Sequence, residues 1–183
     1  MRSKNLAIRK WEDVANTNLL KTVVEPEIIE NFCNKHQLQI IKLSKQQIKE
    51  VFDDMEPDLI GYRDNTLFIG EITTSGYMGQ KGHDFHVGAV RKVFEAFCKF
   101  YLIHDDEEDI IIKLSKYMDK IKIDTIKCYF IVPKGSKFIN ALGYRKRLFE
   151  KGIMDLETIE LTSETCKIML TVLMESKNEN KIL

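Results

Sequence analysis

Apolar positions recur along this chain with two periods, and each change of period marks an element. From Val23 to His36 the residues Ile28, Ile29, Phe32 and Cys33 fall at helical spacing, with Pro26 tolerable only in a first turn. Gln39 to Leu43 is a short strand, and the polar stretch after it carries a helix over Gln46 to Phe52. In DLIGYRDNTLFIGEITT two β-rich runs flank Asp64 and Asn65, residue types that tolerate the left-handed backbone of a tight turn, so the segment reads as a hairpin. A glycine-rich connector, SGYMGQKG, leads into a helix from Asp84 to Ile103. Val87, Val90, Phe94, Phe97 and Tyr101 share one face of it, which Val93 and Phe100 broaden. A helix so widely apolar is either deeply buried or partly turned toward a second subunit, which makes a homodimer one expectation.

Further on, the run Asp105 to Asp109 reads as a solvated loop, and Ile126 to Val132 as a strand stopped by Pro133. Phe138 to Glu150 looks helical, Asp155 to Leu161 alternates as a last strand, and Ser163 starts a final helix with Glu164 favourably placed in its first turn. This order predicts an α/β fold in a single domain over residues 1–183, with a core at about 20–165. A chain of 183 residues that is 44% apolar can fill one such core.

Composition narrows the function classes. Basic and acidic residues balance at 28 each, so the whole molecule is no polycation, and affinity for nucleic acid has to come from local asymmetry. Lys113 to Lys151 provides it: eleven lysines and arginines against Asp119, Asp124 and Glu150. An ordinary solvated surface is the alternative. Cys33, Cys98, Cys128 and Cys166 form no C-x-x-C pair and sit among apolar neighbours, as reduced core thiols do. No run approaches the roughly 20 apolar residues that span a bilayer, and the amino terminus lacks the apolar core of a signal peptide. The expectation is a cytoplasmic protein with no membrane partner.

The chemistry sits on the hairpin. With Asp64 and Asn65 as a two-residue loop, Arg63 pairs with Thr66, and counting back along both strands sets Asp58 opposite Glu71. Directly opposed residues have Cβ atoms about 4.5–5.5 Å apart. Two carboxylates at that separation repel by roughly 3 kcal/mol at an effective dielectric of about 20. A raised pKa on one of them, or a divalent cation between them, would relieve the repulsion. Alternatively both acids merely end their strands, with Asp58 in a turn after Pro57.

Pro57-Asp58, a hairpin turn and then Gly70-Glu71-Ile72-Thr73 together resemble the PD-(D/E)xK nuclease superfamily, the restriction-endonuclease-like fold. The element order over about residues 20–165 is similar as well. The resemblance implies a central mixed β-sheet flanked by helices and a divalent-metal-dependent nuclease that hydrolyses phosphodiester bonds, in DNA before RNA. It implies that Asp58 and Glu71 are catalytic metal ligands for Mg²⁺, with Mn²⁺ as the alternative, and that the backbone carbonyl of Ile72 completes their set. The basic segment would then hold the phosphate backbone.

Thr73 stands where the family usually carries lysine, and Lys81, beside Gln80 in the connector, is the substitute within reach. A family acid on the first helix would be Glu25, at the centre of the Ile28, Ile29, Phe32 and Cys33 face, with helix capping as its other use. His83 and His86 flank Asp84 at a spacing that suits a base, a ligand or simply a helix start. Loss of the usual lysine keeps a second reading open: an inactive nuclease-fold module that binds nucleic acid or a protein partner.

Overall fold

The computed structural model describes residues 17–79, 84–118 and 121–179. Lys81 and His83 lie outside them. Five strands form one sheet in sequential order: β1 (Gln39–Ile40), β2 (Leu59–Arg63), β3 (Thr66–Ile72), β4 (Thr125–Pro133) and β5 (Asp155–Ile159). The first three pair antiparallel and the last three parallel, so the sheet is mixed.

The β2–β3 hairpin forms in the register the turn residues imply. Asp64 and Asn65 both take positive φ (48° and 59°), and the twist of such a turn matches that of the strands. Arg63 therefore pairs with Thr66, Ile60 with Ile69 and Leu59 with Gly70. The Asn65 side chain fixes the turn, accepting from the Tyr62 hydroxyl (3.1 Å) and donating to Asp124 (3.0 Å). Gly70 is required by close approach: a Cβ there would stand 2.9 Å from Ile131 Cδ1 and 3.2 Å from Leu59 Cβ.

Both sheet faces are covered, as the alternation of buried side chains requires. Ile60, Leu67, Ile69, Cys128 and Phe130 pack under α2 (Lys45–Phe52), α3 (Val87–Asp105) and α4 (Glu107–Ser115). Leu59, Phe68, Ile72, Tyr129 and Ile131 pack against α1 (Glu25–His36) and α5 (Ser163–Glu179). Among the described residues no helix is long and apolar enough to cross a membrane.

Several elements differ from the sequence reading, each for a physical reason. Helical chain begins before Val23: Leu20–Val24 forms a π-helical turn leading straight into α1, whose wider winding accommodates Pro26 just beyond it. Asp105 to Asp109 is no loop. It is the junction of α3 and α4, with Glu107, Glu108 and Asp109 in the first turn of α4, where acids suit the helix dipole. Glu107 also accepts a hydrogen bond from the Ile126 N–H at 2.8 Å. The expected helix from Phe138 to Glu150 is two 3₁₀ segments, Lys137–Ala141 and Gly143–Lys151, divided where Gly143 turns to φ +57°.

On α3 the buried stripe is Ala89, Val90, Val93, Ala96, Phe100 and Ile103. Val87, Phe94 and Tyr101, expected inside, are exposed, because the two alanines let the opposite side approach the sheet. That exposed stripe is the surface on which the second-subunit expectation rests. Cys98 also lies on the outside of α3, whereas Cys33 and Cys128 are core thiols.

Candidate functional site

The hairpin, the start of α1 and one side of α3 meet around a cleft of about 710 Å³ whose walls include Glu25, Asp58, Glu71, Ile72 and Thr73, with Lys21, Lys92 and Lys99. Four carboxyl groups, Glu56 being the fourth, thus share one depression with three lysines. They come from several elements, and sheet and helix geometry determines what each can reach.

Asp58 precedes the regular ladder. Its N–H donates to the Gly70 carbonyl (3.0 Å), so simple cross-strand opposition to Glu71 ends one residue earlier than counting from the turn implies. The side chain nevertheless stays with the hairpin: Asp58 Oδ2 accepts from the Ile72 N–H at 2.7 Å. Thr73 donates its own N–H to Ile131 on β4, so Ile72, one residue earlier, directs both backbone groups the other way, toward Asp58. The Ile72 carbonyl therefore faces the same open edge as the Asp58 carboxylate.

Glu71 shares its sheet face with Leu67 and Ile69, and α3 packs on that face. Burial raises the Glu71 pKa above the usual carboxylate range, and the nearby Asp58 charge adds to the rise. Lys99 and Lys92 oppose it without cancelling it. Lys99 Nζ lies 2.8 Å from Glu71 Oε1 and donates also to the Glu56 carbonyl at 3.3 Å.

Glu25 enters from α1. Its pKa is likewise raised, first by burial and then by Asp58, with Lys21 one turn earlier pulling the other way. The first-helix acid is thus an electrostatic neighbour of Asp58. It caps no helix end by side chain at that position, since α1 continues from the turn before it.

Two other candidates have structural duties. His86 Nδ1 accepts from the Ala89 N–H at 3.1 Å and so caps α3. Thr73 is buried, and its hydroxyl accepts from the Ser75 N–H at 3.1 Å, which ties it into the turn after β3.

Sequence reading missed Lys92 and Lys99. They are one heptad apart on α3 and so lie on the same side of it, and their interruption of an otherwise apolar helix was the available signal.

Asp58, Glu71 and the Ile72 carbonyl are oxygen donors of the kind that Mg²⁺ takes up while keeping several waters, and the raised pKa of Glu71 marks a negative charge short of compensation. Among the described residues no three His, Cys, Asp or Glu side chains are gathered tightly enough to enclose an ion by themselves. Glu25 is thus a neighbour of the pair rather than a closed third ligand. No protein-family model, curated protein or solved structure matches the chain.

Proposed function

We propose that this cleft hydrolyses phosphodiester bonds as a divalent-metal-dependent nuclease of the restriction-endonuclease-like kind, acting on DNA in preference to RNA. The observation that carries the reading is the meeting of Asp58, Glu71 and Glu25 in one cleft, two of them with raised pKa, on the hairpin whose motif resembles that superfamily. Mixed sheet, flanking helices and hairpin register all accord with it. Asp58, Glu71 and the Ile72 carbonyl would hold Mg²⁺ or Mn²⁺, which supplies positive charge for the scissile phosphate and acidity for an attacking water.

In this reading Lys99 provides the cationic side chain that Thr73 cannot. It reaches the cleft from α3, already lies within hydrogen-bonding distance of Glu71, and is joined on the cleft wall by Lys92. Together they face an anionic phosphodiester with positive charge, while the Asp58–Ile72 hydrogen bond holds one ligand carboxylate in place.

The test is cleavage of single- and double-stranded DNA and of RNA with Mg²⁺ and with Mn²⁺, alongside thermal melting with each ion. Wild type should cut at least one substrate and melt higher with the ion, and Asp58→Asn should lose both responses. Full activity in Asp58→Asn would overturn the assignment.

One observation favours a second reading, a module that binds without cutting: Lys99 occupies a Glu71 oxygen that a metal would need. Nucleic-acid binding with no cleavage under any metal, and no metal-induced rise in melting temperature, would select it.

A further inference from the structure

The basic run Lys113 to Lys151 is divided by the fold. Lys113 pairs with Asp109, Lys122 with Asp124 and Lys134 with Glu160, so these charges are locally neutralised. Among the described residues Arg145, Lys146 and Arg147 have no carboxylate within ion-pairing distance. All three lie on the 3₁₀ segment Gly143–Lys151.

This segment also carries Tyr144, a residue 72% exposed. The Arg145 guanidinium lies 4.7 Å from the Tyr144 ring centre and 5.9 Å from that of Phe85, and its Nε is buried without a hydrogen-bond partner. A cation on one face of an exposed ring leaves the other face available to a further partner.

A chain of contacts links this surface to the cleft. Thr74 and Ser75 line the cleft, and the next residues, Gly76 and Tyr77, accept backbone hydrogen bonds from Phe138 and Lys137. Gly76 is held at φ +76°, and a Cβ there would stand 2.7 Å from Ala89 Cβ and 3.0 Å from Phe138 Cβ, so cleft rim, α3 start and 3₁₀ region press directly together. Asn140 then reaches Asp84 at 3.5 Å, next to Phe85.

We propose that Tyr144, Arg145, Lys146 and Arg147 form a docking surface for single-stranded nucleic acid, with an unpaired base stacked on Tyr144 and backbone phosphates against the adjacent basic side chains. Uncompensated cations attract phosphate, and an exposed ring adds nothing to a duplex whose bases are already stacked but offers a platform to a free base. The inference rests on the nucleic-acid reading of the cleft and names the form of strand led toward it.

Fluorescence anisotropy of the full chain in EDTA tests it, with a labelled oligodeoxythymidine of about 20 nucleotides, a duplex of equal length and polyglutamate as probes. Without metal the readout is independent of cleavage, so failure of the nuclease reading and failure of this one are distinguishable. The single strand should bind tightest and weaken as salt rises. Tyr144→Ala should weaken it about ten-fold or more, Tyr144→Phe should restore binding, and Lys146→Glu with Arg147→Glu should weaken both nucleic-acid forms. Melting of each variant checks folding, which the exposure of all three side chains favours. The proposal is overturned if Tyr144→Ala binds the single strand as wild type does, if the duplex binds more tightly than the single strand, if polyglutamate binds equally well, or if no probe binds.

Discussion

Glu25 and Glu27 lie two residues apart in the first turn of α1, project about 200° apart around it, and have opposite fates. Glu27 turns to α5. It accepts from the Thr162 N–H, from the Thr162 hydroxyl (3.1 Å) and from the Thr165 hydroxyl, and although burial opposes ionisation these bonds hold its pKa below the ordinary value. Glu25 turns to the cleft, where burial and Asp58 raise its pKa. One acid is satisfied by its surroundings and stabilises the fold; the other is left short of compensation in the company of Asp58 and Glu71. On the proposed function, that contrast would separate structural from functional carboxylates without reference to any relative.

The largest test of the contrast is catalytic. If the cleft works as proposed, Asp58→Asn should lower metal-dependent cleavage by about 10³-fold or more, since it removes a carboxylate proposed to hold the ion while keeping shape and the hydrogen bond from Ile72. Glu27→Gln, on the other side of the same helix, should cleave as wild type. Rates on a plasmid or oligonucleotide substrate decide it, and equal losses in both variants would erase the distinction.

The next effect is on stability and has the reverse assignment. Glu27→Ala removes three hydrogen bonds at the start of α5 and should cost about 2 kcal/mol, or about 6 °C in Tm, with the metal-induced shift in Tm intact. Because the folded pKa of Glu27 is depressed, its contribution is present above the unfolded value near 4.5 and is lost as pH falls through the lower folded value. Melting of wild type and Glu27→Ala should therefore converge in acid.

The legible and illegible parts of this molecule differ by the range of the interaction. The hairpin was readable because Asp64 and Asn65 suit a positive-φ turn, and turn length sets register locally. That register brought Asp58 and Glu71 to the same end of the hairpin, but not into the direct opposition expected, because the ladder ends at Leu59 and Gly70 and the Asp58 N–H turns to the Gly70 carbonyl. The inward side of α3 was readable only in part: Val90, Val93 and Phe100 lie inside as expected, but Val87, Phe94 and Tyr101 do not, because both stripes are apolar and the choice fell to Ala89 and Ala96, whose small size matters only once a sheet lies beneath. Lys99 was hidden for the same reason, since a lysine on a helix acquires a role only when Glu71 is brought against it. Glu25 was found because an acid on an apolar helix face conflicts with its surroundings at short range, whereas the partners of Glu27 are 135 and 138 residues away along the chain.

The smallest effect gives the sharpest form of the comparison. In the folded chain Glu71 and Glu25 have raised pKa values, so the folded state binds more protons than the unfolded one between the ordinary value of 4.5 and the raised values. Stability should therefore fall as pH rises through that window, opposite in sign to Glu27. Replacing Glu25 by the uncharged Gln removes the cost of ionising it and should leave metal-free stability at neutral pH unchanged or raised by a few tenths of a kcal/mol. A divalent ion should relieve the same cost at Glu71, so its effect on Tm should grow with pH across the window, because protons and metal compete for one carboxylate. A marked destabilisation of metal-free Glu25→Gln would show that Glu25, like Glu27, is a structural acid, and the contrast between the two would fail at its source.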